Sequence, residues 1–192
     1  MITAIANRIA DFIYSKNNLS IDERDIYVYG YEIIISSSIT FLLLMVTGLL
    51  FKMILEAVVF FLVFYLLRRR TGGYHANTYL KCNFIFELNI ILAMTLSSVN
   101  TVFFAKVAIN VISFLLCLIL TIIKAPISNP NKPISENLRK RHKIWAITLA
   151  IFFEILSIVV LNFSSMSICI SLAMASTAFA MMINSKKRRK SK

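Results

Sequence analysis

The chain has 192 residues, 58% of them hydrophobic, with 21 Lys and Arg against 9 Asp and Glu and a formal net charge of +12. Soluble domains use roughly 45–50% apolar residues, so this composition, with only 4 Gly and 3 Pro, excludes an ordinary soluble domain and a loop-rich or low-complexity protein. The basic residues sit in blocks between apolar runs, which encodes membrane topology and not a nucleic-acid face, and the three cysteines supply no disulfide framework.

The first stretch, residues 1–19, contains Ile2, Ile5, Ile9, Phe12 and Ile13 at three- and four-residue steps, with Asn7, Arg8 and Asp11 elsewhere on the wheel. This predicts an amphipathic helix, lying in the membrane interface or packed on the protein's own cytoplasmic side. It has no continuous apolar core and no small-residue cleavage site, so no cleavable signal peptide is expected. In "SIDE", Ser20 is an N-cap with Glu23 three residues on, a capping box that starts a new helix. Tyr27, Tyr29 and Tyr31 then fall where an interfacial aromatic belt belongs.

Six apolar runs follow, at 33–51, 53–67, 84–105, 107–123, 144–163 and 166–183. A hydrocarbon core of about 30 Å needs about 20 helical residues. The second and fourth runs are short, and must borrow flanking residues, thin the bilayer or cross incompletely. Lys52 divides 33–67 into a pair. Lys and Arg number three before the first run (Arg8, Lys16, Arg24), one at Lys52, four in 68–83, one at Lys106, six in 124–143, none in 162–167 and six after position 183. The counts alternate high and low, and the positive-inside rule then places both termini and both long connections in the cytoplasm. The expectation is an all-α polytopic membrane protein of one integral domain with about six transmembrane helices. Helix pairs 33–67, 84–123 and 144–183 are joined by a cytoplasmic segment 68–83 and a cytoplasmic loop 124–143. The basic tail 184–192 reads as a stop beside anionic lipid.

Chemistry concentrates in "RRRTGGYHANTYLKC", residues 68–82. A thiolate nucleophile needs a base near working pH, usually imidazole, and is favoured by neighbouring positive charge. Cys82 has His75 in its segment together with Arg68, Arg69, Arg70 and Lys81, and it lies just before the third run, near the positive end of that helix dipole. On one straight helix, residues seven apart share a face but stand about 10 Å apart along the axis. A His75–Cys82 pair therefore requires either a bend, for which Gly72 and Gly73 supply backbone freedom and the polar "ANTY" a turn, or a bridge between the two during the reaction.

The stretch "GGYHANTYLKC" resembles the active segment of the accessory gene regulator B family, membrane cysteine endopeptidases of Gram-positive quorum sensing. Gly73, His75, Ala76 and Cys82 match the family's positions, and Arg68 matches a basic position seven before the histidine. The resemblance implies a bacterial cytoplasmic-membrane enzyme with Cys82 as nucleophile and His75 as general base and acid. The substrate would be a precursor signal peptide whose C-terminal tail is released through a thioester. An internal cysteine or serine of the peptide would then close a thiolactone or lactone. A homodimer is also implied; no cofactor, metal or nucleic acid is. Arg69, Arg70 and Lys81 suit an acidic peptide tail or lipid headgroups.

Three intramembrane carboxylates are costly in lipid and therefore candidates for function. Glu87, five residues after Cys82, is placed to orient His75 or bind substrate, or else to serve at headgroup level; Glu56, four after Lys52, suggests a local pair; Glu154 is the deepest and suggests a helix tie. Asn77 and Asn83 are candidates for positioning the imidazole or an oxyanion. His142 in "RKRHK" reads as part of a solvated basic run, and Cys117 and Cys169 as small apolar residues in mid-span. Two alternatives stand beside the enzyme: a peptide exporter or small polytopic transporter, and a scaffold in which His75 and Cys82 are incidental.

Overall fold

The computed structural model describes residues 2–17, 21–72, 78–99, 102–127, 135–162 and 164–190. Among them the chain is all-helical: α1 (Ile2–Asn17), α2 (Ile21–Leu50), α3 (Ile54–Thr71), α4 (Tyr79–Ser98), α5 (Phe103–Lys124), α6 (Glu136–Val159) and α7 (Ser164–Lys190). In lipid each backbone N–H and C=O must find its partner within the protein, and a helix does so within one segment. Five stretches are long and apolar enough to cross a membrane: Arg24–Leu50, Tyr79–Ser98, Phe103–Lys124, Glu136–Val159 and Ser165–Ile183. The chain is a polytopic membrane protein. α3 stands apart from those five, because its 18 residues carry Glu56 in the first turn and Arg68, Arg69 and Arg70 in the last.

Several helix ends depart from the apolar runs. α4 stops at Ser98 and α5 starts at Phe103, so the third run is broken before its end at 105. Lys106 is not in the connection but in the first turn of α5. Ser, Asn and Thr in "SSVNT" compete for backbone hydrogen bonds and favour turns, whereas Lys is a good helix former. α6 takes in "ENLRKRHK", which was expected in loop 124–143, starting after Ser135 in extended conformation (φ −60, ψ 152). α7 likewise continues through most of the basic tail to Lys190. Charge ends the part of a helix that lipid can accept without ending the helix.

The residues group into two compact units, Met1–Leu44 with Ala76–Leu88, and Met45–His75 with Asn89–Lys192. In the first unit, α1 buries Ile2, Ala6 and Ala10, an i, i+4, i+8 stripe. It leaves Ile5 and Phe12, on the other edge of the predicted stripe, exposed. Arg24 of α2 ties the helix down, with Nε donating to Asp11 Oδ1 at 2.8 Å and Nη2 to Asn7 Oδ1 at 3.1 Å. Tyr27 and Tyr29 are exposed, as a belt requires, and Tyr31 is half-buried. Ser20 of the expected capping box lies outside the described residues.

In the second unit α3, α5, α6 and α7 pack on one another. α7 forms the core: 56% of its crossing window is buried, against 22% for α5 and 28% for α6. Its small residues Ser167, Cys169, Ser171, Ala173, Thr177 and Ala178 are all buried, and small side chains let helices approach closely in lipid. At one end of this unit Ser165 Oγ donates to Glu56 Oε1 at 2.8 Å, and Asn110 Nδ2 donates to Ser167 Oγ at 3.0 Å. Ser157 Oγ donates to Asn110 Oδ1 and meets Ser167 Oγ at 3.1 Å. At the other end Ile127 N–H donates to the Thr71 carbonyl at 2.9 Å and Gly72 pairs with Ile127. The basic ends of α3, α5 and α6 therefore share one end of this unit, as the alternating charge counts require.

Candidate functional site

Cys82 owes its position to a helix start. Thr78 accepts the Lys81 N–H on Oγ1 at 3.3 Å and the Cys82 N–H on its carbonyl at 3.1 Å, so it caps α4 in the manner of an N-cap threonine. Cys82 thus makes the first intrahelical bond of α4, in the turn where the unpaired N–H groups concentrate positive potential. It is half-buried, while Cys117 and Cys169 are buried, and the Cys169 thiol is engaged with Ser97 Oγ at 3.1 Å. A thiol that reacts with a peptide needs access, and Cys82 has it.

The start of α4 is held on α2. Ser36 Oγ donates to Asn83 Oδ1 at 3.0 Å, Asn83 Nδ2 donates to the Ser36 carbonyl at 3.3 Å, and Tyr79 Oη donates to Glu32 Oε2 at 3.1 Å. Asn83 is buried and its amide is used on both sides. It clamps two helices and fixes the backbone beside Cys82, and nothing in the sequence pairs positions 36 and 83. The imidazole it was expected to position belongs to His75, outside the described residues.

Upstream, α3 ends at Thr71 and Gly72 caps it with φ 69 and ψ −154, its N–H bonded to the Arg68 carbonyl at 2.9 Å. A Cβ at position 72 would stand 2.5 Å from the Ile127 carbonyl oxygen. Both the left-handed φ and the contact demand glycine, so the chain turns at Gly72 and is pinned there to the chain beyond α5; a bend that would bring His75 to Cys82 falls outside the described residues. α4 begins at Tyr79, so Cys82 is carried by a helix that starts after position 75. His75, Gly73 and Asn77 lie outside the described residues.

The basic residues divide. Arg68 is half-buried with its guanidinium 5.6 Å from the Phe64 ring centroid on its own helix, while Arg69 and Lys81 are exposed. Arg70 is half-buried, 5.6 Å from the Trp145 ring centroid, with Nη1 3.5 Å from His142 Nδ1. His142 is therefore not simply a member of a solvated run. Neither it nor Trp145 stood out in the sequence, although two basic connections sharing one side already bring the end of α3 toward the start of α6. Glu87 is half-buried and engaged within the chain. Glu56 bonds Ser165 and not Lys52. Glu154 is buried at 8% exposure in the apolar part of α6. The polar seam of Asn110, Ser157, Ser167 and Ser171 was also missed; the spacing of Ser167 and Ser171 in a uniformly apolar run was its signal.

Fold and segment together define a polytopic helical membrane protein with an accessible cysteine in the first turn of a helix, preceded by a glycine-bent, arginine-rich stretch. The family model for accessory gene regulator B matches residues 6–183, and the chain belongs to that family. It is 30% identical over 170 residues to AgrB-like protein 2 of Clostridium perfringens (strain 13, type A), covering 83% of this chain and 78% of the relative. An AgrB-like protein of Clostridium perfringens (strain SM101, type A) matches with the same identity and coverage. No solved structure matches.

Proposed function

We propose that this chain is a membrane cysteine endopeptidase that cuts the C-terminal tail from a quorum-sensing peptide precursor and promotes closure of a thiolactone or lactone ring. The observation that carries the reading is Cys82 itself. It is the one cysteine of three that is not buried, and it sits in the first turn of α4 within the family-matched range. His75 takes the thiol proton, and the sulfur attacks the carbonyl before the tail. The scissile C–N bond breaks as His75 returns the proton to the leaving amine. The resulting acyl thioester is attacked by a thiol or hydroxyl within the peptide. The new ring bond forms, the bond to Cys82 breaks, and the nucleophile's proton restores the thiol.

A site that limits water favours ring closure over hydrolysis, and the tethered nucleophile has a high effective concentration. Exposed Arg69 and Lys81 attract an acidic tail by charge, and Arg68, Gly73, Asn77 and Glu87 support the segment. The reaction takes place at the cytoplasmic face, in a homodimer.

The test is to reconstitute the wild-type chain, Cys82→Ser and His75→Ala in lipid vesicles with the cognate precursor and to read products by mass spectrometry. Wild type should release the tail and yield a cyclic product, and both variants should insert yet release nothing. Normal cleavage by both variants would sink the reading and bring the exporter forward.

A further inference from the structure

The basic end of the second unit holds a group of side chains that the peptidase reading does not use. Arg70, in the last turn of α3, places its guanidinium over the Trp145 ring at 5.6 Å and its Nη1 at 3.5 Å from His142 Nδ1. The charges of Arg69 and Arg141 bear on the same imidazole. Among the described residues the ion pairs are those of Arg24, so no carboxylate stands within ion-pair distance of Arg70. Burial and the neighbouring arginine charges disfavour a proton on His142, so the positive charge of the group is carried by the arginines. Stacking on an indole keeps the Arg70 guanidinium from simply extending into water. The group thus holds a cationic guanidinium in place for which the described residues supply no anion.

The surface beneath it says which anion. Trp145 heads the apolar run of α6 and is 46% exposed; Phe152, two turns further along, is 55% exposed, and Leu66, one turn before Arg70 on α3, is 36% exposed. In a membrane-spanning chain, cations and a tryptophan at the head of an outward apolar surface lie at headgroup depth. A soluble carboxylate would meet the charges alone. A phospholipid meets both features, with phosphate oxygens on the guanidinium fork and the imidazole, and an acyl chain along the apolar surface.

We propose that Arg70, His142 and Trp145 form a binding site for the phosphodiester headgroup of an anionic glycerophospholipid. Basic pockets between membrane helices bind such headgroups in general. The site does not depend on Cys82 being a nucleophile. Because Arg70 lies two residues before Gly72, an occupied site also anchors the start of the segment that leads to His75.

Trp145 is the chain's single tryptophan, so its fluorescence reports on this site alone. The full chain is reconstituted in phosphatidylcholine vesicles, and phosphatidylglycerol or phosphatidylcholine with brominated acyl chains is titrated in as quencher. Phosphatidylglycerol should be preferred by about fivefold, from roughly 1 kcal/mol per basic residue near an anionic surface. Arg70→Gln should abolish the preference, and Arg69→Gln, which removes an equal charge one position away from the stack, should keep it. Equal quenching by the two lipids in wild type overturns the site, as does an unchanged preference in Arg70→Gln. Loss in Arg69→Gln to the same extent reduces the effect to surface charge and overturns it too. If Arg70→Gln fails to insert, His142→Gln carries the test from the other helix: a weakened preference supports the site, and the wild-type value overturns it. Inorganic phosphate or an acidic soluble peptide, added at constant ionic strength, should leave the preference intact; abolition by either one assigns the site to a free anion or to peptide and overturns the lipid.

Discussion

Asn110, Ser157, Ser167 and Ser171 share hydrogen bonds among α5, α6 and α7, whereas Arg70 and His142 face each other across α3 and α6 with no carboxylate of the described residues in ion-pair distance. The first group is closed: its donors and acceptors are used by one another, which is how polar side chains hold helices together in lipid. The second is open, because the described residues offer the Arg70 charge no carboxylate. The cysteines repeat the contrast. Cys169 is buried against Ser97, and Cys82 is half-buried at a helix start. In a molecule whose surface is mostly apolar, the polar groups left incomplete by the fold are the ones that point to function.

The strongest way to break this contrast is to exchange the roles of the cysteines. Cys82→Ser should lower tail release by about a thousandfold or more, as loss of a nucleophile does, with thermal unfolding in detergent unchanged. Cys169→Ala should do the opposite, keeping cleavage and costing about 1–2 kcal/mol of stability through a small buried cavity. Alkylation kinetics sharpen the same point. A thiol-reactive maleimide should label Cys82 about tenfold faster than Cys117 or Cys169, because buried thiols react only after local opening; equal rates would remove the distinction.

Gly72→Ala tests the turn that follows Arg70 at the end of α3. It places a side chain at φ 69 against the Ile127 carbonyl, and should destabilise by roughly 1–3 kcal/mol while slowing tail release. A variant with wild-type melting temperature and cleavage would show that the pinned bend is dispensable. In the closed seam, Asn110→Ala should cost about 1–2 kcal/mol by stranding its serine partners, with cleavage kinetics unaltered. The smallest effect belongs to Ser165→Ala, about 0.5–1 kcal/mol for one interhelical hydrogen bond, read by thermal unfolding.

Part of the candidate site was legible in the sequence and part was not. The helix start at Cys82 and the positive φ at Gly72 followed from local rules, namely a helix start and a residue free to take positive φ. The bonds of Asn83 to Ser36, a residue 47 positions away, were not legible, because no local rule connects the two. His142 was placed in solvent for the same reason, its neighbour Arg70 being 72 positions away. Lys106 lies in the first turn of α5, not in a connection, because lysine is a good helix former, and the break falls between Ser98 and Phe103.

The sequence by itself determined that this chain is an all-helical, polytopic membrane protein and broadly where its helices begin and end. Those properties follow from apolar length, the need to satisfy the backbone within a segment, and basic residues along the chain. Only the tertiary structure decided which face of each helix meets protein, that α7 is the core of its unit, and which polar residues are spent on one another. The reason is that lipid is as apolar as a protein interior. Hydrophobicity tells a helix to enter the membrane but not which way to face, and the facing is settled by small side chains and hydrogen bonds between residues far apart in the chain.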